Sequence, residues 1–126
     1  MTKRKNEAER VSTHHELVTV DLEYPRVQGE LAELDLDQLL EVRACVEKIQ
    51  KMTWAQILAT SSKSEKRGLN WEVISDQKTA TGAVIASIRV SRKFRARVTR
   101  DGATLRFISF HPDHDSAYEE PGGEDV

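Results

Sequence analysis

The chain has a single cysteine, Cys45, among 126 residues, which excludes an internal disulfide and any thiolate metal cage. No apolar run approaches the roughly 18 residues needed to cross a bilayer. An integral membrane protein is excluded, as is a fibre. The opening MTKRKNEAER carries charges with no hydrophobic segment behind them to act as a signal peptide, so the expected location is the cytoplasm. The GxxxxGK[ST] phosphate loop, the GxGxxG turn and the GxSxG elbow are all missing, which leaves nucleotide-dependent and serine-hydrolase chemistry without support. Paired cysteines and HExxH are missing too. A zinc site from His111, His114 and a carboxylate therefore has only weak spacing behind it, and no metal or cofactor is expected.

The length suits one domain, and 38% hydrophobic with 32% charged residues suits one modest core between solvated faces. The net charge of −2 conceals a segregation along the chain. Between Glu16 and Gln50 the acids outnumber Arg26, Arg43 and Lys48. Between Val84 and Arg106 the bases Arg89, Arg92, Lys93, Arg95, Arg97, Arg100 and Arg106 oppose Asp101 alone, and the last twenty residues are acidic again. A basic middle in a nearly neutral chain points to a local anion site.

Residues 1–13 show neither hydrophobic period and are expected to be a polar tail, with the domain over 14–118 and an acidic tail over 119–126. From Leu17, Val18, Val20, Leu22 and Tyr24 alternate with Thr19, Asp21 and Glu23, predicting a half-buried strand that Pro25 ends. Leu36, Leu39, Leu40, Val46 and Ile49 recur at helical spacing behind the capping box Asp35/Gln38. Thr53/Gln56 repeats that signature for a short second helix to about Ser61. The two are expected to form a helical hairpin with Cys45 on or beside its core. SSKSEKRG reads as a loop, LNWEVI as a short strand and SDQKTATG as its turn or an exposed loop.

The remaining strands alternate as Val84, Ala86, Ile88, Val90 and as Phe94, Ala96, Val98. A last strand runs from Ala103 to about Phe110, stopped at His111-Pro112. A three-residue connection Ser91-Arg92-Lys93 sets Val90 opposite Phe94 and Arg89 opposite Arg95. A two-residue type I′ turn at Asp101-Gly102 sets Val98 opposite Leu105 and Arg97 opposite Arg106. One face then carries Ile88, Val90, Phe94, Ala96, Val98, Leu105 and Phe107 toward the helices. The other carries Arg89, Arg95, Arg97 and Arg106, with Arg92 and Lys93 at its edge. Like charges directly across a sheet cost a few tenths to about 1 kcal/mol per pair. Folding does not ask for that arrangement, and arginine's planar fork suits phosphate.

The segment FHPDHDSAY follows the last strand and gathers His111, Asp113, His114, Asp115 and Tyr118. Histidine exchanges protons near neutral pH, and either aspartate can orient it. The combination has the composition of a general acid/base beside phosphate-binding arginines.

The order of elements and the stretch SIRVSRKFRARVTRDGATLRFISFHPDHDSAY resemble the RelE/ParE-type toxin superfamily of bacterial type II toxin-antitoxin systems, over about residues 15 to 118. The likeness is most specific in FRARVTRDGATLRFISFHPDHDSAY. It implies an α+β fold, with an N-terminal strand and helical hairpin packed on a C-terminal antiparallel sheet. It implies metal-independent endonucleolytic cleavage of mRNA, ribosome-dependent and held in check by a cognate antitoxin. By the resemblance Arg95, His114 and Tyr118 match the family's active positions, and Arg89 falls near its upstream basic position. The residues themselves add His111 as a further catalytic candidate and Arg89, Arg92, Lys93, Arg97 and Arg106 as the expected RNA- and phosphate-binding set. The runner-up is a non-catalytic toxin acting on DNA gyrase, or an inert RNA- or partner-binding domain of the same fold.

Overall fold

A computed structural model describes residues 13–60 and 68–113. The fold is α+β. In chain order come β1 (Thr19–Asp21), α1 (Pro25–Glu33), α2 (Leu36–Ile49), α3 (Trp54–Ala59), β2 (Glu72–Lys78), β3 (Val84–Arg89), β4 (Arg95–Asp101) and β5 (Thr104–His111). The strands form one sheet in the order β1-β5-β4-β3-β2. It is mixed, because β1 runs parallel to β5 while the other pairs are antiparallel.

Both capping boxes form as expected. The Asp35 carboxylate accepts from the Gln38 backbone N–H at 2.8 Å, and the Gln38 side chain accepts from the Asp35 N–H at 2.9 Å. Thr53 and Gln56 repeat the exchange at the head of α3. The buried stripe of α2 is Val42, Cys45 and Ile49. Leu36, Leu39 and Leu40, expected in the core, are instead exposed, Leu36 at 69%. Helix geometry explains the difference, since nine residues at 3.6 per turn place Leu40 about 180° from Ile49. Burial pushes the Cys45 thiol up to about 12, as desolvation of a thiolate demands.

Pro25 was expected to end a strand and leave a connection. It occupies the first turn of a helix that sequence patterning passed over, where its missing N–H costs nothing. Arg26 donates to Glu30 at 2.7 Å one turn on, and Val27 is fully buried. The predicted strand before it shrinks to three residues. Val18 already bonds the Met52 carbonyl at 2.8 Å, and Tyr24 lies past the strand's end. At the other side of the chain β2 extends through Lys78, into the segment expected to be a turn. A register shift between Ile74 and Lys78 absorbs the extra residues. The reversal itself occupies residues 79–83, where the Thr79 hydroxyl accepts from the Ala83 N–H at 3.0 Å and Gly82 takes φ +90.

The core lies between the helices and one face of the sheet. Trp54, Phe94, Phe107, Ile49, Ile57, Leu69 and Ile88 are among its largest wholly buried side chains. Each such burial contributes roughly 1.5–3 kcal/mol. Trp54 meets Trp71 edge-on at 5.1 Å, and Phe94 meets Phe110 edge-on at 5.8 Å. Gly68 packs so tightly on the end of α3 that a Cβ there would collide with the Thr60 carbonyl oxygen. Among the described residues, no helix is long and apolar enough to cross a membrane.

Candidate functional site

Register decides what the sheet's outer face presents. The β3–β4 pairing is the expected one, with Ile88 opposite Ala96 and Arg89 opposite Arg95. The β4–β5 pairing is not. The turn centres on Gly102-Ala103, so that Asp101 pairs with Thr104 and Val98 with Phe107. Gly102 has φ +61, and Ala103 is not among the positive-φ residues, which is the type II′ pattern with glycine first. A register shift between Arg97 and Val98 then moves the pairing once more. The expected like-charged pair Arg97/Arg106 is thereby abolished: Arg97 faces Ser109 and Arg106 faces Thr99. Arg89/Arg95 remains.

Three rows result, read across the strands. Arg89, Arg95 and His111 form the first; Ser87, Arg97 and Ser109 the second; Thr99, Arg106 and Asp21 the third. All lie opposite the core rows of Ile88, Ala96, Phe110 and of Ala86, Val98, Phe107.

The first two rows hold guanidinium groups inside the protein. Arg95 and Arg97, expected on an exposed face, are only 8% and 6% exposed. The Arg95 Nη1 donates to the carbonyl oxygens of Ser91 at 3.0 Å, Arg92 at 3.3 Å and Phe94 at 3.5 Å. It therefore clasps the β3–β4 turn. Its Nε is buried without a hydrogen-bond partner, an arrangement that costs about 1–3 kcal/mol for an ordinary donor. Arg97 donates to the Gln77 side-chain oxygen at 3.0 Å, a contact supplied by the irregular stretch of β2. His111 is likewise buried. Its Nε2 and the Ser109 Oγ lie 2.8 Å apart, within one hydrogen bond.

The third row is electrically different. Arg106 donates through Nε to Asp21 at 2.9 Å and through Nη2 to Asp101 at 3.3 Å. The hydrogen bond from Arg106, followed by one from the Glu23 backbone N–H, holds the Asp21 carboxyl below its ordinary range. The same bond raises Arg106 in turn. Of the expected phosphate-binding residues, Arg106 is thus already neutralised by carboxylates. Arg92 and Lys93 project from the β3–β4 turn into a groove shared with Asp35, Asp37 and Glu41 of α2 and its cap. The groove places their charge against acids on the helical side. Arg100, on the core side of β4, lies 4.5 Å over the Trp54 ring, and its burial lowers its pKa.

His114, Asp115 and Tyr118 lie outside the described residues. The structure thus joins Arg89, Arg95, Arg97, Ser109 and His111 and tests nothing about the other half of the expected catalytic set. Among the described residues, no group of three His, Cys, Asp or Glu side chains has a metal-binding arrangement. Ser109 and Gln77 escaped notice in the sequence, since a serine in an apolar strand and a glutamine in a polar run carry no periodic signal. Only pairing at the register shift and at the irregular end of β2 brings them to the arginines.

No protein-family model matches the chain, nor does any curated protein or solved structure.

Proposed function

We propose that the outer sheet face binds single-stranded RNA through its phosphates. We further propose that the protein is a metal-independent endoribonuclease of toxin type, cutting mRNA at the ribosome and restrained by a cognate antitoxin. Arg95 carries the reading. A buried cation is costly unless it is paired. The carbonyls of Ser91, Arg92 and Phe94 orient this guanidinium without cancelling its charge, while its Nε stays unbonded. A phosphate oxygen brought to Arg95 would supply a negative charge that the turn carbonyls do not, and a rigidly held guanidinium suits it.

In the chemistry that fits, the ribose 2′-oxygen attacks the adjacent phosphorus and the bond from phosphorus to the 5′-oxygen breaks. The products are a 2′,3′-cyclic phosphate and a free 5′-hydroxyl. The 2′-hydroxyl proton passes to a base, and the leaving oxygen takes a proton from an acid. His111, held by Ser109, is the candidate on the sheet. His114 and Tyr118 follow it in the chain. Arg95 and Arg89 offset the charge that builds on the pentacoordinate phosphorus. The exposed Leu36 and Leu40 on α2 support a protein partner on the helical side, which serves both an antitoxin and the alternative gyrase-directed reading.

The test is cleavage of end-labelled single-stranded RNA by the full chain with EDTA present, free and on translating ribosomes. Cyclic-phosphate ends are expected, and His114→Ala should slow cutting by roughly a hundredfold with little change in affinity. RNA that is bound but never cut in either setting would leave a non-catalytic binding module. Growth arrest with intact mRNA and accumulating DNA breaks would favour gyrase.

A further inference from the structure

A cleft of about 460 Å³ opens on the third row of the same face, beside the arginine rows. Its floor includes the buried Ile108 and Thr99. The hairpin residues Thr79–Ala83 form one wall, and Tyr24, 37% exposed, forms part of the opposite side. The volume lies in the range of small-molecule sites. The charged residues lining the cleft are Arg100, Arg106 and Asp101, and Asp21, bonded to Arg106 from just outside it, brings their sum to zero. Such a lining has no demand for a further anion. The polar side chains that the hairpin adds to the lining are Thr79 and Thr81, whose hydroxyls share one hydrogen bond at 3.0 Å while Thr79 also accepts from the Ala83 N–H, so each keeps only part of its capacity to donate or accept. Apolar floor, aromatic side and neutral two-way hydrogen-bonding groups select a flat, uncharged ligand with a polar edge. Position narrows the class. Thr99 follows Arg97 by two residues on β4, a separation of about 7 Å, so a ligand in the cleft sits one short step from the phosphate-binding rows.

We infer that this cleft is a nucleobase subsite, taking the base of a nucleotide whose chain runs over the arginine rows, with Tyr24 as its stacking surface. The inference rests on the RNA reading for its ligand class, but the cleft can be tested apart from that reading. The Tyr24 side chain plays no part in capping α1, because the cap uses only its backbone carbonyl, which accepts from Gln28 at 3.0 Å. Tyr24→Ala should therefore fold normally.

The first measurement compares equilibrium binding of a short single-stranded RNA with the same strand made abasic, using wild type, Tyr24→Ala and Tyr24→Phe. Removing the bases should weaken wild-type binding by roughly 5- to 150-fold, the usual scale for one stacked base. Tyr24→Ala should abolish most of that difference, and Tyr24→Phe should preserve it. The second titrates free ribonucleosides while following the amide NMR signals of residues 79–83, where shifts are expected. Equal, salt-sensitive binding of intact and abasic strands would overturn the subsite and leave the phosphate reading standing. Failure of both strands to bind, with nucleosides still shifting residues 79–83, would overturn the RNA reading and leave the subsite. Silent nucleosides would overturn the subsite, and shifts produced instead by an aromatic peptide would assign the cleft to a protein partner.

Discussion

The two ends of the outer sheet face carry arginines in opposite electrical states. At the β3–β4 end, Arg95 is sealed from water and held by neutral carbonyl groups. At the β4–β5 end, Arg106 is more open to solvent and already balanced by Asp21 and Asp101. A count of basic residues treats the two alike. What a guanidinium offers to a phosphate is the charge its own neighbours have not cancelled, and by that measure the proposed RNA reading turns on Arg95 rather than on Arg106.

The sharpest way to break the comparison is from beneath. Phe94 lies under the β3–β4 end, wholly buried against Phe110. Phe94→Ala should cost about 3–5 kcal/mol in urea unfolding, and a loss under 1 kcal/mol would mean that this end is not packed as described. Next comes Arg95→Ala. It leaves the turn carbonyls without their charged donor and should cost about 2–3 kcal/mol, as well as weakening RNA binding. A fully stable Arg95→Ala protein would return Arg95 to the ordinary exposed state that its sequence position suggests.

At the other end the effect should be smaller. Asp21→Asn removes a partly exposed ion pair and should lower stability by under about 1 kcal/mol at pH 6, leaving RNA affinity unchanged or slightly raised. The pH dependence has a definite sign. Because the folded-state pKa of Asp21 lies below its ordinary 3.8, its contribution is full above that value and is lost as the pH falls through the folded one. The gap between wild type and Asp21→Asn, read as a difference in unfolding midpoint, should close as the pH drops below 4. A gap that widened in acid would contradict the Asp21–Arg106 bond. Smallest of all, Arg92→Ala with Lys93→Ala should shift stability by no more than about 0.5 kcal/mol. It should reduce the salt dependence of RNA binding less than Arg97→Ala does, since the pair faces Asp35, Asp37 and Glu41. A larger reduction would extend the anion site across the turn.

Much of this architecture is local and legible in the sequence. The caps at Asp35 and Thr53, the alternation of β3 and β4 and the stop at His111-Pro112 each depend on residues within a few positions of one another. Sequence expresses that directly. The helix begun by Pro25 was hidden because its apolar stripe is short and Gly29 interrupts it. Its anchor is non-local: Glu30 accepts the Phe110 backbone N–H at 2.7 Å across most of the chain.

By itself, the sequence determined an α+β chain in which one face of a sheet is apolar and the other rich in arginine. Alternation and capping are short-range rules. Tertiary structure alone decided that Arg95 meets turn carbonyls and Arg106 meets carboxylates. One turn centred a residue later than expected, together with one register shift in β4–β5, moved Arg97 to Ser109 and Arg106 to Thr99. The parallel docking of β1 brought Asp21 to Arg106 from 85 residues away. Burial and carboxylate neighbours set the electrostatics of a guanidinium, and both are fixed by strand register rather than by position in the chain.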